Sequence, residues 1–349
     1  MAIKIGNNVV GLETEPFIIL EAGINHNGDI SLAKEMISAA KSAGADAIKF
    51  QTFKATEFVG NTELIFTYQS QGKEVKESML EMFTRYEFSA SQWFEIKKTC
   101  DEEGILFLST PQNISDLDLL LEIGVQAIKV GSDDFTNIPL LKRYSEANLP
   151  LLISCGMADL GEVYDALDVT GALDGKQVLL MLCTSQYPTP AEDVNLLKLQ
   201  TLHGAFPAVT LGFSDHTQGS YASIAACSLG ACAFEKHFTL DRDLPGPDHW
   251  FSENPKSAKE WVSAIRTTKR MLGSPLIRPT LKERDMRLLA RRSITALQDI
   301  PVGEIFSEVN LGLRRPGNGV APKFFEYFLN RKARKHINKG QQLNLGDFE

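Results

Sequence analysis

Eight short apolar runs recur along the chain, separated by stretches with helical spacing, and this recurrence restricts the fold more than any single motif does. The runs are 17–21 (FIILE), 45–52 (ADAIKFQT), 105–111 (ILFLSTP), 126–132 (QAIKVGS), 150–156 (PLLISCG), 178–184 (VLLMLCT), 208–214 (AVTLGFS) and 231–237 (ACAFEKH). Apolar runs of this length, closed by polar or glycine residues, read as buried strands. Helical patterns follow at 29–43, 87–103, 114–123, 138–147, 159–170, 193–204, 219–229 and 256–272. In the first of them Ile30, Ala33, Ile37 and Ala40 make one apolar stripe, Asp29 is the candidate N-cap and Gly44 the terminator. Strict alternation of this kind predicts an α/β fold, a (β/α)8 TIM barrel. No GxGxxG follows the first run, as a dinucleotide-binding open sheet would require.

Two stretches depart from the repeat. Residues 54–86 form a long, polar, weakly periodic excursion after the second run, on the side where barrel active sites lie, and such loops often serve as lids. Beyond 280 the composition changes to short strand-like pieces, turns such as DIPVG and RRPGNG, and one short helix at 322–329. The expected division is a barrel domain over 1–280, a linker over 281–292 and a small, mostly β domain over 293–349. A net charge of −8 argues against a nucleic-acid partner, and no apolar run is long enough to span a membrane. The start of the chain lacks the pattern of a signal peptide, and five cysteines without CxxC spacing read as reduced thiols. A cytoplasmic protein is expected.

Barrel active sites are built at the C-terminal ends of the strands. Those ends are polar in every run. The first ends in Glu21, with Asn25 and His26 beyond it; the second gives Lys49 and Gln51, the third Ser109 and Thr110. The fourth gives Lys129, Ser132, Asp133 and Asp134, the fifth Ser154, the sixth Thr184, Ser185 and Tyr187. Ser214 shares a strand face with His216, as does Glu235 with His237. If the last two runs are neighbours, two imidazoles and a carboxylate converge, a donor set for Mn2+, Co2+ or Zn2+, with Mg2+ admissible. Lys49, Lys129 and the hydroxyls suit a phosphate, although an interior lysine can equally serve only to neutralise a carboxylate. Glu21 and Asp134 are the candidate acids for proton transfer.

The segments GINHNGD, ADAIKFQT, FLSTP, IKVGS, SCGM, LCTSQYPTP, GFSDHT, EKHFTLDRDLPGPDH and RRPGNG, in this order, resemble the sialic acid synthase family over essentially the whole chain. The C-terminal piece is similar to the antifreeze-like (SAF) domain of those synthases. The resemblance implies condensation of phosphoenolpyruvate with an N-acylated amino-hexose to a nine-carbon 2-keto acid. It implies phosphoenolpyruvate contacts at Lys49, Gln51, Thr110, Lys129, Ser132, Ser154 and Ser214, and Mn2+ or Mg2+ on His216 and His237, with Co2+ admissible. Glu21, Tyr187 and Asp248 match amino-sugar positions. Arg315 matches an arginine that reaches the partner subunit's active site in a domain-swapped homodimer. Where some members carry Gly-Glu this chain has Asp133-Asp134, and where some carry Asn it has Ser185. Both departures fall on the sugar side and are compatible with a 2,4-diacetamido-6-deoxy acceptor as well as with N-acetylmannosamine. The alternatives are another phosphoenolpyruvate-dependent 2-keto-3-deoxy sugar acid synthase or a non-catalytic carbohydrate-binding protein.

Overall fold

Each of the eight apolar runs is a strand of one parallel sheet: β1 (Phe17–Gly23), β2 (Ala47–Thr52), β3 (Leu106–Pro111), β4 (Ile128–Val130), β5 (Leu151–Ser154), β6 (Val178–Cys183), β7 (Thr210–Asp215) and β8 (Ala233–His237). The computed structural model describes residues 2–349 and separates them into two units, one ending at Gly273 and the other spanning Ser274–Glu349. The hydrogen-bonded order is β3-β2-β1-β8-β7-β6-β5-β4, and β3 packs beside β4, so the sheet is a nearly closed barrel.

The helices between the strands are α1 (Ile30–Ala43), α2 (Ala90–Glu103), α3 (Ile114–Ile123), α4 (Ile138–Glu146), α5 (Leu160–Val169), α6 (Lys198–Ala205) and α7 (Tyr221–Ser228); α8 (Pro255–Leu272) follows β8. The Asp29 carboxylate accepts from the Ser31 and Leu32 amides, and Gly44 ends α1 at φ 92°. The stretch 193–204 is not one helix. A short helix at Ala191–Val194 stops at Asn195, φ 50°, before α6 begins.

Period-two alternation sorts every strand into an outer and an inner face. Outward residues such as Ile18, Ile48, Phe107, Ile153, Leu180 and Phe213 pack in the core that includes helix residues Met36, Trp93 and Trp261. Inward residues form a second core from Ile19, Ala47, Leu108, Ala127, Leu152, Leu179, Met181 and Ala233. An N-terminal hairpin, Ile3–Ile5 paired with Asn8–Val10, joins this inner core through Ile3, Ile5 and Val10. Two residues further along the strands, on the same inner face, the side chains are Glu21, Lys49, Thr110, Lys129, Ser154, Cys183 and Glu235. The barrel interior is therefore apolar below and polar above, and the polar layer forms the floor of the site.

The excursion at 54–86 is more ordered than its sequence suggests. It holds a short helix (Ala55–Phe58), a β-hairpin (Ile65–Ser70 with Lys73–Ser78) and a second helix (Met79–Tyr86). Ile24, Phe53, Met82 and Tyr86 make a small core beneath it, with Phe58, Phe66, Tyr68 and Phe83 packed alongside.

In the second unit, Ser293–Ala296 pairs antiparallel with Leu311–Arg314 over a core that includes Ile294, Phe306, Phe328 and Ile337. The stretch expected as a linker carries a helix, Leu281–Ala290, with no buried residue. All five cysteines are free and buried. Among the described residues no helix is long and apolar enough to cross a membrane.

Candidate active site

The polar layer opens into a cavity of about 380 Å³ at the C-terminal ends of the strands. Its floor is a four-charge cluster. Lys49 Nζ lies 2.7 Å from Glu21 Oε1 and 3.8 Å from Glu235, and Lys129 Nζ lies 3.7 Å from Glu235. All four side chains are buried. Thr110 accepts from Lys49 at 3.2 Å, Gln51 donates to Glu21 at 3.2 Å, and Ser214 donates to Glu235 at 3.1 Å.

Burial pushes the Glu21 carboxyl up, against the pull of Lys49 and with some help from Glu235. Burial acts in the same direction on Glu235, but Lys129 and Lys49 overcome it and hold that carboxyl below its ordinary value. Burial lowers Lys129, because one carboxylate at 3.7 Å does not restore what desolvation takes from the ammonium. One oxygen each of Glu21 and Glu235 is buried without a hydrogen-bond partner.

Beside the floor a bay is formed at the ends of β4 and β5. Lys129 donates to Ser154 Oγ at 2.7 Å, and the Gly156 amide donates to Ser132 Oγ at 3.0 Å. Gly156 is required here, because a Cβ at that position would meet the hydroxyls of Ser185 and Ser132.

On the far side the two imidazoles stand together, as the strand order requires: the His216 and His237 ring centroids are 5.4 Å apart. His216 Nδ1 donates to the Thr184 carbonyl at 2.7 Å; burial lowers the ring's value, but Cys183, that carbonyl and Glu235 outweigh it and push it up, so Nε2 carries a lone pair only in the neutral ring. Tyr187 packs on His216 at 4.2 Å between centroids. His237 Nδ1 is buried without a hydrogen bond, 3.7 Å from the Asp248 carboxylate. Burial holds His237 well below the ordinary histidine value, so its ring is neutral. Among the described residues no group of three or more His, Cys, Asp or Glu side chains is arranged to hold an ion. The two imidazoles could together supply two ligands to an ion.

Of the residues singled out in the sequence, Glu21, Lys49, Gln51, Thr110, Lys129 and Ser132 line this one cavity, as do Ser154, Ser185, Tyr187, Ser214, His216 and His237. Asp248 stands behind His237 rather than on the wall. Arg315 belongs to the second unit, directly after the strand Leu311–Arg314.

Two expectations need correction. Asp134 does not line the cavity; its carboxylate accepts from Asn137 at 3.0 Å, and Asp133 takes the place on the wall. Gly131 makes room for that, since a Cβ there would collide with the Asp133 carboxylate. Glu235, read as the carboxylate accompanying the imidazoles, instead lies between the two lysines. Its position two residues past Ala233 on the inner face was the signal for the floor. A larger hollow of about 830 Å³, lined by Pro188, Pro190, Leu196 and Tyr221, lies to one side and has a single charged side chain, Glu192.

A parallel eight-stranded barrel with paired ionic groups, hydroxyls and two imidazoles gathered at its C-terminal mouth is built as an enzyme for a small polar substrate. The chain belongs to the NeuB family, whose model matches residues 36–276, and a SAF domain matches residues 291–349. It is 40% identical to N,N'-diacetyllegionaminic acid synthase of Legionella pneumophila, covering 94% of this chain and 93% of that one. It is 39% identical to the synthase of the same name from Campylobacter jejuni, over 93% and 98% of the two chains. Among solved structures, N-acetylneuraminic acid synthetase of Leptospira borgpetersenii superposes with a TM-score of 0.73 at 32% identity, covering 82% of this chain and 95% of that one.

Proposed function

We propose that the protein condenses phosphoenolpyruvate with an N-acylated amino-hexose, N-acetylmannosamine or a 2,4-diacetamido-6-deoxy sugar, to a nine-carbon 2-keto acid. The relatives are nonulosonic acid synthases. The observation that carries the reading is the placement of two buried lysines beside a hydroxyl bay and an imidazole pair within one cavity. Lys129, Ser132, Ser154 and the Gly156 amide surround the bay suited to the phosphate, with Lys49, Gln51, Thr110 and Ser214 alongside.

The neutral His237 ring and, once deprotonated, His216 Nε2 fit a divalent cation, Mn2+ or Mg2+ with Co2+ admissible, whose remaining positions would go to oxygen donors. Such an ion would polarise the aldehyde of the open-chain sugar. The chain's own residues do the rest by positioning. Tyr187, packed on His216, borders the acceptor, and Asp248 orients His237 or meets the sugar. Carbon 3 of phosphoenolpyruvate bonds to the aldehyde carbon as the aldehyde oxygen takes up a proton, positive charge develops at carbon 2, water adds there and gives up one proton, and its second proton leaves with phosphate as the C–O bond breaks. Glu21, with one buried oxygen unpartnered, is the acceptor for the water's proton. Asp134, turned away from the cavity, has no part in this step. In a homodimer the partner's copy of the SAF domain would bring an arginine equivalent to Arg315 to the N-acyl group.

Incubation with phosphoenolpyruvate, Mn2+ and either acceptor should release phosphate and give a keto acid of the summed carbon count by mass. Phosphoenolpyruvate labelled with heavy oxygen at the bridging position should deliver the label to phosphate. His216→Ala should abolish metal-dependent turnover. Near-normal activity of that variant with metal chelated, or label retained in the keto acid, would refute the mechanism.

A further inference from the structure

His216 and His237 do not reach the cavity in the same way. His237 is the last residue of β8 and still pairs with Glu21 of β1, whereas the ladder between β7 and β8 ends at Asp215 and Lys236, one residue before His216. The sheet fixes one imidazole and leaves the other to local contacts. Two residues lower on the outer face, the facing pair is Phe213 and Phe234, both in the apolar core. At the top of the ladder the facing pair is ionic instead. Lys236 Nζ lies 3.0 Å from Asp215 Oδ2, both residues are buried, and neither lines the cavity. An apolar pair of similar volume is often as stable in such a place, so stability alone does not call for the charges.

What the charges do is hold Thr217, the residue after His216. The Asp215 carboxylate accepts from the Thr217 amide at 2.9 Å and from its hydroxyl at 2.8 Å, and Lys236 donates to the Thr217 carbonyl at 2.6 Å. Every polar group of Thr217 is thus engaged by the pair. Ser223 donates to the second Asp215 oxygen at 2.5 Å and accepts from Trp261 Nε1 at 2.9 Å, which anchors the carboxylate to α7 and α8. On its other side Lys236 lies 4.0 Å from Glu253, whose amide donates to the His237 carbonyl at 2.8 Å. Arg242, 2.8 Å from Glu253, completes a set of two carboxylates and two cations.

Resting on the metal reading of the imidazole pair above, we propose that Asp215 and Lys236 are positioning residues for that pair: through Thr217 they keep the His216 ring at its 5.4 Å spacing from His237, where both rings can hold one divalent cation. Neither side chain touches the ion or a substrate. Without the pair Thr217 is released, and His216, which lies beyond the ladder, turns away while His237 stays with β1. The phosphate bay is built on β4 and β5 and does not depend on this grip.

The test uses the double variant Asp215→Asn/Lys236→Met, which removes the ion pair and keeps the charge balance. Mn2+ binding to the protein without substrates, read at one fixed pH from the electron paramagnetic resonance of the free ion, should weaken by about tenfold or more. Saturating Mn2+ should restore kcat, with the KM for phosphoenolpyruvate unchanged. Thr217→Val, which loses only the hydroxyl's hydrogen bond, should weaken Mn2+ binding by about threefold and decides alone if the double variant does not fold. Phe234→Leu disturbs the same two strands beneath the pair and should leave Mn2+ affinity as it is. A double variant binding Mn2+ within about twofold of the parent, or an equal loss in Phe234→Leu, would overturn the positioning role. His216→Ala separates the two levels. If it binds Mn2+ as tightly as the parent, the metal reading itself fails; if it loses Mn2+ while the double variant does not, only the positioning role fails.

Discussion

Glu235→Gln tests whether the floor of the cavity is held by charge. Glu235 lies 3.8 Å from Lys49 and 3.7 Å from Lys129, and with Glu21 the four groups sum to zero charge. The substitution keeps the shape and leaves two buried ammonium groups against one carboxylate. Removing one member of a buried ion pair destabilises by about 3–5 kcal/mol, because the remaining charge stays out of water without compensation. At about 2–4 °C per kcal/mol for a unit of this size, the melting temperature at pH 7 should fall by about 6–20 °C.

The pH dependence of the loss has a definite sign. Burial already lowers Lys129, and Glu235 is the first charge opposing that effect, so neutralising Glu235 leaves the folded-state value of the lysine further below the unfolded one. A depressed lysine contributes stability that is present above its unfolded value and lost as pH falls through its folded value. The deficit of the variant should therefore shrink between pH 7 and pH 10. Phosphoenolpyruvate supplies the missing negative charge, so its stabilising shift should be larger in the variant than in the parent. Calorimetry at both pH values, with and without phosphoenolpyruvate, reads all three quantities. A variant melting within about 2 °C of the parent at pH 7, with no larger ligand shift, would show that Glu235 does not hold the lysines.

Two further substitutions probe separate parts of the barrel. Asp133 lines the cavity and Asp134 is held by Asn137, so Asp133→Ala should change a substrate KM by about tenfold while Asp134→Asn stays within about twofold; steady-state kinetics showing the reverse order would refute that placement. Asp116, in the first turn of α3, is pushed up to about 6, chiefly by burial, from about 3.9 in the unfolded chain. A raised carboxyl contributes stability that is complete below the unfolded value and lost as pH rises through the folded one. Asp116→Asn should accordingly raise the melting temperature at pH 8 and not at pH 4, and an equal shift at both would contradict the assignment.

The barrel and most of the floor were legible because a strand has period two. Once Ile19, Ala47, Leu152 and Ala233 are placed inward, Glu21, Lys49, Ser154 and Glu235 follow on the same face, and the neighbouring strands bring His216 and His237 together. The phenylalanine wall of the cavity was not legible. Phe53, Phe58, Phe66 and Phe83 come from four different local structures, so no single period connects them. The hairpin between them turns on Gln71-Gly72, both at positive φ (51° and 73°), and Gln-Gly signals such a turn more weakly than Asn-Gly. The choice between Asp133 and Asp134 depends on how the chain leaves β4 at Gly131, a backbone geometry that adjacent identical residues do not reveal. The N-terminal hairpin is too short, three residues a strand, for its pattern to stand out.

The lysines were open to two readings, phosphate contact or neutralisation of a carboxylate; the structure shows the carboxylate contacts, and the proposed reaction would require the phosphate to share them. Without an anion in the cavity, two unpaired buried ammonium groups would cost several kcal/mol each; Glu21 offsets that for Lys49, and Glu235 offsets part of it for Lys129. For the proposed reaction the incoming phosphate must then compete with a carboxylate already in contact. Glu235 is held low by both lysines, and losing its charge would undo the cluster. Glu21 is different: burial has raised it against the pull of Lys49. It is the carboxylate whose neutralisation costs less. A proton taken there from the water would free Lys49 for the departing phosphate and leave Glu235 to hold Lys129 in place, so the residue proposed to accept the water's proton is also the one that can yield its lysine.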